Sequence, residues 1–571
     1  MDLRFFVLFW ENIMYAHFFR GGITMKTFST LHRTELYGTI QKQLFDLLII
    51  GGGITGAGIA LDAVSRGMKV LLVEMQDFAE GTSSRSTKLV HGGLRYLKQL
   101  QIKEVAELGR ERAIVYENGP HVTTPVWMLL PFYKGGTFGS FSTALGLKVY
   151  DVLAGVKKGE RRFMLNAEKT LQQEPLLKKD GLLGGGVYVE YRTDDARLTI
   201  EVLKAANERG AHLLHYVEAK AIQLVDDVYT VEAKDHLLNQ TVQFHARKVV
   251  NAAGPWIDEV RKFNGDEGGK HLILSKGAHF VIDQQHFPLT HAVYFDTPDG
   301  RMVFAIPREN KTYVGTTDTF YEGDPKEVKL TEEDEVYLLD AIKFMFPSLA
   351  VNHEHIESSW AGVRPLIQQE GKGPSEISRK DEIWIANNGV ITIAGGKLTG
   401  YRKMAQKIVD VVSKQLAKEK HLYFGHCVTK KLPISGGDIS GSKFYTKFVE
   451  AKIEAGMKLG LSEKESKQLA AFYGTNVDLV YAFIREAKGN LPPALYGRLY
   501  YSIYYESVSK PVDFFIRRTG KLFFEIQFVQ AYKEAVIAEM ENIFNWTVEE
   551  TNLYRVHLEQ AIEQSTLAIE E

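Results

Sequence analysis

The chain has 571 residues, 45% of them hydrophobic and 25% charged, and its formal net charge is −2. This length predicts about two to four domains. The 32 Phe and 26 Tyr residues exclude disorder over most of the chain, because so many rings require a core. The near-neutral charge excludes a general basic field for nucleic acid, so no nucleic-acid partner is expected. The single cysteine, Cys427, excludes an intrachain disulfide and a cysteine-rich metal site, and we expect no metal.

Residues 1–44 are interpreted as an N-terminal extension. Its first residues are apolar but too few to span a membrane, and it lacks the long apolar run and small-residue cleavage site of a secretory signal. Residues 20–22 can be encoded by a purine-rich stretch that resembles a ribosome-binding site, two codons before Met25. We therefore expect translation to start at Met25, which a native peptide from residues 1–24 would contradict.

The first clear unit is a βαβ pattern over residues 45–74. Apolar residues 47–50 predict a buried strand, and a glycine-rich turn follows at 51–56. A helix of small residues comes next, and residues 70–73 predict a second buried strand. This order of elements is typical of a dinucleotide-binding fold.

Four residues of this unit have the chemistry that a dinucleotide requires. Gly51 permits a tight turn, Gly53 lets the backbone approach a pyrophosphate, and Gly56 lets the helix pack close to the strand. The N-terminus of the helix attracts phosphate groups. Glu74, at the end of the second strand, is placed to accept hydrogen bonds from a ribose. The alternative is a purely structural glycine turn.

A polar run follows, where a second nucleotide-binding repeat would stand in an NAD enzyme, and this favours FAD. Its hydroxyls and its lysine predict a lining for a phosphate and a flavin face. The alternative is a solvated Ser/Thr loop. The predicted cofactor-binding residues of this run are Thr82, Ser83, Ser84, Ser86 and Lys88.

Two later turns also bring small residues after a strand. At 248–254 a strand enters a turn with Ala253 and Gly254, which lets the chain pass close to the dinucleotide; a tight connection is the alternative. After a strand at 391–394, a pair of glycines opens a helix that starts near Lys397. Such a helix N-terminus would stabilise the negative charge of a reduced flavin. The predicted cofactor-binding residues here are Gly396, Lys397, Leu398 and Thr399.

Taken together, these motifs resemble FAD-dependent glycerol-3-phosphate dehydrogenases, the aerobic, quinone-linked family. The motifs occur in the family's order from about residue 45 to 410, and a helical C-terminal region follows. One departure is Gly400, where many relatives have Thr. The segments that carry the resemblance are residues 51–56, Glu74, 82–88, 91–96, 193–198, 250–256, 315–318, 362–366, 378–379 and 395–402.

The resemblance implies where the substrate binds. Arginine forms bidentate contacts with phosphate oxygens, so converging arginines suit a phosphorylated substrate. The family places Arg95, Arg364, Arg379 and Lys397 in the substrate site. His91 is the candidate catalytic base, with Arg364 or an ordered water next. The alternative for His91 is a hydrogen bond that holds the turn or the flavin.

The expected fold class is an α/β, Rossmann-like FAD-binding domain with an inserted antiparallel-sheet substrate domain and an all-α C-terminal domain. Two capping-box patterns, at 462–465 and 547–550, support the helical assignment. The FAD-dependent part spans 45–425 and the helical domain 426–571. The expected FAD-binding parts are about 45–110, 186–265 and 351–425, and the expected substrate-domain parts are about 111–185 and 266–350.

The expected reaction is oxidation of sn-glycerol 3-phosphate to dihydroxyacetone phosphate, with hydride transfer to non-covalently bound FAD and electrons passed to a quinone. One alternative is a glycerol-3-phosphate oxidase that uses O2; another is a non-catalytic flavin-binding scaffold. A basic amphipathic helix at 137–154 predicts peripheral contact with an anionic membrane, with a core-facing helix as the alternative. We expect a cytoplasmic protein, at the inner face of the cell membrane, and a homodimer.

Overall fold

The computed structural model describes residues 27–91, 102–136, 161–263, 265, 269–368 and 381–568. The expected translation start at Met25, the amphipathic segment 137–154 and the predicted substrate residues Arg95 and Arg379 lie outside these ranges.

Within these ranges, twenty strands are distributed over three sheets. In chain order they are β1 Leu44–Phe45, β2 Leu47–Ile50, β3 Val70–Val73, β4 Leu89–Val90, β5 Thr123–Tyr133, β6 Phe163–Asn166, β7 Leu182–Thr193, β8 His212–Leu214, β9 Val217–Val225, β10 Val228–Asp235, β11 Gln240–Ala246, β12 Val249–Asn251, β13 Leu272–Asp283, β14 Ala292–Asp296, β15 Met302–Arg308, β16 Lys311–Gly315, β17 Thr319–Tyr321, β18 Ile356–Ile367, β19 Glu382–Ile385 and β20 Ile391–Ala394.

Short helical turns, among them Thr82–Ser84 and Leu398–Gly400, connect these strands to the longer helices. In the described part of the chain, the α-helices of six or more residues are α1 Arg33–Ile40, α2 Ile54–Ser65, α3 Ile102–Asn118, α4 Ala167–Gln173, α5 Asp195–Glu208, α6 Ile257–Lys262, α7 Glu332–Met345, α8 Tyr401–Lys420, α9 Tyr445–Met457, α10 Glu463–Tyr473, α11 Val477–Arg485, α12 Pro493–Tyr505, α13 Ile526–Phe544 and α14 Val548–Thr566. None of the helices in the described parts of the chain has the length and hydropathy of a membrane-spanning segment.

The predicted βαβ unit forms the centre of a six-stranded sheet with the order β19-β20-β12-β2-β3-β8. Five of its strands are parallel, and β19 pairs antiparallel with β20. All four residues of β2 and of β3 are buried, because helices pack on one face of these strands and a small sheet packs on the other. Helix α2 packs against α8, where Gly58 would bring an added Cβ within 3.2 Å of the Ala405 side chain.

A ten-stranded sheet forms the second layer, in the order β17-β13-β16-β15-β14-β5-β7-β4, with β18 on β13 and β6 on β7. Its pairings are antiparallel except that of β14 with β5. A small sheet of β1, β11, β10 and β9 covers the other side of the six-stranded sheet. The expected combination of a Rossmann-like domain and an antiparallel-sheet domain is confirmed.

Two long strands do not fit the domain limits expected from the sequence: β7 crosses the limit at 185/186, and β18 lies wholly within the expected FAD-binding part 351–425. Strand β7 starts at Leu182 and β18 at Ile356, and both belong to the ten-stranded sheet. Residues 186–193 and 356–367 were expected in FAD-binding parts of the chain. Each strand has 12 residues and pairs along most of its length, β7 with β5 and β18 with β13. Both segments therefore belong to the ten-stranded sheet and not to the six-stranded sheet.

The C-terminal domain is helical, as expected, since every described element after Ala394 is a helix or a helical turn. It docks on the rest of the molecule through buried charges. The Asp77 carboxylate, just after β3, accepts a hydrogen bond of 2.5 Å from Arg517 Nε and bonds of 2.7 and 2.8 Å from the two terminal nitrogens of Arg518. All three residues are almost fully buried. These charge-assisted hydrogen bonds fix the orientation in which the two domains pack.

A second buried network joins helix α5 to the same domain. Arg197 lies 2.5 Å from a carboxylate oxygen of Glu506, and Lys204 lies 3.4 Å from the same oxygen. Nearby, the Phe523 and Phe524 rings pack against Trp360 of β18, with centroids 5.4 and 5.6 Å apart. The C-terminal helices and the ten-stranded sheet therefore share one hydrophobic core.

Candidate active site

A cavity of about 360 Å³ lies between the six-stranded and the ten-stranded sheets. Most of the residues predicted to bind a cofactor or substrate line it. Those described residues are Gly51, Gly53, Glu74, Thr82, Ser83, Ser86, His91, Ala253, Gly254, Arg364, Gly396, Lys397, Leu398 and Thr399. Gly56, Ser84 and Lys88 do not line it, while Arg95 and Arg379 are outside the described residues.

The glycine turn between β2 and α2 leaves no room for side chains. Gly51 has a φ of +115°, and an added Cβ would lie 2.5 Å from the Ala252 carbonyl oxygen. A Cβ on Gly56 would lie 1.9 Å from the Gly51 carbonyl oxygen, so this glycine permits close packing of helix on strand. Helix α2 therefore starts directly at the cavity, with its first N–H groups and the positive end of its dipole beside it.

The Glu74 carboxylate is fixed at the end of β3 by backbone donors. Its two oxygens accept hydrogen bonds from the Gly52 N–H, at 2.6 Å, and the Gln76 N–H, at 2.9 Å. Burial raises the pKa of Glu74 to about 7, and the two backbone hydrogen bonds oppose that rise only in part. An ionised carboxylate at this place suits a pair of ribose hydroxyl donors, as the sequence predicts.

The hydroxyl-rich run divides between the cavity and the protein interior. Ser83 Oγ accepts a hydrogen bond of 2.9 Å from the Ile54 N–H at the start of α2, and the Thr82 hydroxyl donates to the Val363 carbonyl at 2.7 Å. Lys88 is buried, and its Nζ lies 2.6 Å from a carboxylate oxygen of Asp195.

Ser84 is also buried, and its hydroxyl donates to the Glu80 carbonyl at 3.4 Å. Ser86 lines the cavity while its hydroxyl donates to Asp195 at 2.6 Å. Lys88 and Ser84 thus bind the loop to the protein interior. Thr82, Ser83 and Ser86 line the cavity.

The end of β4 and the start of α8 meet at the cavity. His91 follows β4 directly, and its carbonyl accepts a hydrogen bond of 2.9 Å from the Thr399 hydroxyl. Gly396 has a φ of +93°, and Lys397 stands just before the helical turn at Leu398–Gly400 that leads into α8. The helix expected near Lys397 therefore begins as this short turn, at the cavity wall.

Arg364, on β18, reaches the cavity from the ten-stranded sheet. Its guanidinium donates a hydrogen bond of 2.8 Å to Thr316 Oγ1, and its other terminal nitrogen lies 3.5 Å from a carboxylate oxygen of Asp318. With Lys397, it places two cations in the wall of the same cavity as the glycine turn. This arrangement can bind an anionic substrate beside a dinucleotide.

Three residues in or next to the cavity wall have no role predicted from the sequence: Thr316 and Asp318, which line it, and His279, which lies behind it. Thr316 and Asp318 occur in a recognised motif, but a hydroxyl and a carboxylate after a glycine have many structural uses. His279 lies in an apolar strand pattern, which gives no functional signal. It is fully buried and its Nε2 is 2.9 Å from the Thr87 hydroxyl, which lines the cavity. Burial, with the charges of Arg364 and Lys88, lowers the pKa of His279 well below its usual value, so its ring is neutral.

The residues present fit FAD. The glycine turn is a cradle that an added Cβ would fill, the helix N-terminus suits the diphosphate, and Glu74 suits a ribose. The small residues Ala253 and Gly254 line the same cavity. Gly396 and Lys397 line it as well. The ammonium group of Lys397 and the N-terminus of the helical turn that follows it would stabilise negative charge on a reduced flavin.

Comparison with known proteins agrees with this fit. Residues 46–402 match the model of the FAD-dependent oxidoreductases, and residues 427–551 match the C-terminal domain of alpha-glycerophosphate oxidase. The chain is 57% identical over 550 residues to the aerobic glycerol-3-phosphate dehydrogenase of Bacillus subtilis (strain 168), covering 95% of this chain and 99% of that protein. It is 58% identical over 546 residues to the enzyme of the same name from Staphylococcus haemolyticus (strain JCSC1435), covering 94% and 98%.

A solved structure is similar over almost the whole chain. It is the glycerol-3-phosphate dehydrogenase from Bacillus halodurans complexed with FAD, which is 46% identical, covers 95% of this chain and 99% of its own, and gives a TM-score of 0.83. With the glycine turn, the Glu74 carboxylate and the two cations in one cavity, these matches place the chain in the FAD-dependent oxidoreductase family, among the aerobic glycerol-3-phosphate dehydrogenases.

Proposed function

We propose that the protein oxidises sn-glycerol 3-phosphate to dihydroxyacetone phosphate and passes the electrons through FAD to a quinone. The observation that carries the proposal is that Arg364 and Lys397 line the same cavity as the dinucleotide turn. The names of the relatives and the solved neighbour support the same substrate. In the reaction the C2 carbon loses a hydride and its hydroxyl loses a proton, so a C=O bond replaces the C2–H and O–H bonds.

The chain's own residues bind and orient the substrate. The guanidinium of Arg364 and the ammonium of Lys397 hold the phosphate, together with Arg95 and Arg379, which the family resemblance places in the site. When bound, FAD supplies the hydride acceptor. The cations would also stabilise developing negative charge on the C2 oxygen, which reduces the strength required of a base.

The experiment that tests this function is anaerobic mixing of the flavin-loaded protein with substrate. We expect sn-glycerol 3-phosphate to bleach the flavin absorbance and glycerol, which lacks the phosphate, to leave it unchanged. A soluble quinone analogue should then restore the absorbance faster than O2 does. Absence of bleaching would contradict the function, and faster recovery with O2 would identify an oxidase instead.

We propose His91 as the group that accepts the proton of the C2 hydroxyl. It lines the cavity at the end of β4, and a neutral imidazole can accept a proton at physiological pH. His91→Asn should retain FAD and slow the bleaching by at least about 100-fold, within the range that general bases contribute. Rapid mixing without an electron acceptor measures this step. A variant that bleaches at nearly the normal rate would show that His91 only holds the turn, and would transfer the role to Arg364 or a water.

We also propose that the protein contacts the inner face of the cell membrane peripherally. The Trp127 and Phe163 rings lie 5.8 Å apart, with 37% and 44% of each residue exposed. Lys134 and Arg161, at the two ends of the segment predicted to be amphipathic, are exposed as well. Aromatic side chains together with cations suit an anionic lipid surface.

The predicted homodimer would appear in light scattering as twice the chain mass of 64.5 kDa.

A further inference from the structure

The guanidinium of Arg364 lies over the backbone of the neighbouring strand. In the antiparallel pairing of β13 with β18, Ser275 stands opposite Arg364 and Gly277 opposite Gly362. An added Cβ on Gly277 would lie 2.3 and 2.7 Å from the two terminal nitrogens of Arg364 and 2.4 Å from Thr316 Oγ1. Gly277 therefore makes the space that the guanidinium occupies.

Acceptors hold the guanidinium along that strand. One terminal nitrogen donates at 2.8 Å to Thr316 Oγ1, whose own proton is donated to the Thr317 carbonyl at 3.0 Å. The other nitrogen lies 3.4 Å from the Lys276 carbonyl and 3.5 Å from Asp318 Oδ1. The same Asp318 oxygen accepts a hydrogen bond of 2.5 Å from the Ser275 hydroxyl, and Ser275 is fully buried. The buried Ser275 of β13 thus anchors Asp318.

We propose that Asp318 is a positioning residue, which with Ser275 and Thr316 fixes the guanidinium of Arg364 in the orientation that binds the substrate phosphate. Arginine has a long side chain with many rotamers, and fixing it in advance lowers the entropic cost of binding. This inference rests on the proposed function, in which Arg364 binds the phosphate.

Whether removal of the Asp318 charge weakens or tightens substrate binding distinguishes a positioning role from a purely electrostatic one. The Asp318 carboxylate is negative and lies beside the phosphate site, so its charge alone repels the substrate. Removal of that charge would then tighten binding. If Asp318 acts by orienting Arg364, its removal weakens binding in the normal protein, and this weakening disappears when Arg364 is absent.

The test is a double-mutant cycle on the flavin-loaded protein with Asp318→Asn and Arg364→Ala. With the normal Arg364, we expect Asp318→Asn to raise the KM for sn-glycerol 3-phosphate about tenfold while kcat changes less than about threefold. In the Arg364→Ala protein, we expect the same substitution to leave the KM unchanged or to lower it. Inorganic phosphate, used as a competitive inhibitor, should show the same pattern in its inhibition constant.

Asp283→Asn is the matched control, because Asp283 lies at the other end of β13 and pairs with Lys311 at 2.6 Å, outside the cavity lining. It should leave the KM unchanged. Should Asp318→Asn lose FAD, Thr316→Val, which removes one acceptor at nearly constant volume, carries the test and should also raise the KM. An unchanged or lower KM for both variants, or an equal increase with and without Arg364, would overturn the inference. Failure of the unmodified protein to oxidise the substrate would instead refute the proposed function.

Discussion

Glu74 is a half-buried residue of the cavity wall whose carboxyl titrates near neutral pH, because desolvation raises its pKa to about 7. The ribose hydroxyls of FAD would donate to the ionised form, so FAD binding releases a proton below that pH. We therefore expect the Kd for FAD to fall about tenfold between pH 6 and pH 8 and to level off above pH 8. Fluorescence titration of the flavin-free protein measures this.

Glu74→Gln should abolish the pH dependence and weaken FAD binding at pH 8. Glu419→Gln, at a partly exposed carboxylate that pairs with Lys248 outside the cavity lining, should keep the wild-type profile. A wild-type Kd that does not change between pH 6 and pH 8 would show that the Glu74 carboxyl does not bind the ribose in its ionised form.

Single residues were predictable from the sequence where backbone geometry limits the choice. Gly51 and Gly56 stand where a Cβ would strike backbone atoms, so their spacing in the sequence reports the turn directly. Hydroxyl and basic side chains carry no such constraint. Lys88 and Thr82 look alike in a polar run, yet Lys88 is buried against Asp195 and Thr82 faces the cavity, because the direction of each side chain depends on strands far away in the chain.

At the scale of elements, docking of the C-terminal helices depends on Asp77 more than on its neighbour Asp513. The Arg518 and Arg517 guanidiniums lower the pKa of Asp77 against the effect of burial. Its stabilising contribution is therefore complete above the pKa of an unfolded aspartate and is lost as the pH falls toward the folded pKa. Burial raises the pKa of Asp513 to about 6, so its stabilising contribution is complete only at acidic pH and is lost as the pH rises through about 6.

We therefore expect Asp77→Asn to destabilise the protein by about 3–5 kcal/mol at pH 7, since it leaves two buried guanidiniums without their main counter-charge. Asp513→Asn, the matched change 3.0 Å from Arg517 in the same cluster, should cost less, about 1–3 kcal/mol, because it disturbs the hydrogen bonds from the Ser509 and Lys510 N–H groups but leaves Asp77 paired with both guanidiniums. Thermal unfolding of both variants at pH 7 makes the comparison. Equal losses of stability would show that the cluster acts as one unit.

Elements with local signals were predictable, whereas their assignment to sheets was not. The capping boxes at Ser462 and Thr547 are present, each with its glutamate three residues later. The βαβ unit and the helical C-terminal domain are also confirmed. The sequence does not show that β7 and β18 pair in the ten-stranded sheet, because that pairing is decided by partners between 49 residues (Tyr133 with Leu182) and 95 residues (Leu272 with Ile367) away in the chain.

At the scale of the whole molecule, the proposed membrane contact predicts binding that depends on salt. Flotation with anionic vesicles should recover the protein at low salt and lose much of it at 1 M salt, where the Debye length is about 3 Å. Zwitterionic vesicles should recover less.

The double variant Lys134→Glu/Arg161→Glu should reduce flotation, and the control Lys464→Glu, at an exposed position on α10, should not. The absence of flotation at low salt would contradict the proposal.

The order of strands in the six-stranded sheet has a consequence for synthesis of the chain. Strand β2 ends at Ile50, but β20, two places away in the sheet, begins only at Ile391. At about 5–20 residues per second, on the order of 20–70 s separate the two strands during synthesis. The edge of the unfinished sheet stays available to other chains for that time. Such non-local pairing also makes folding slow, so a nascent chain that stops before Ile391 should aggregate more readily than the finished one.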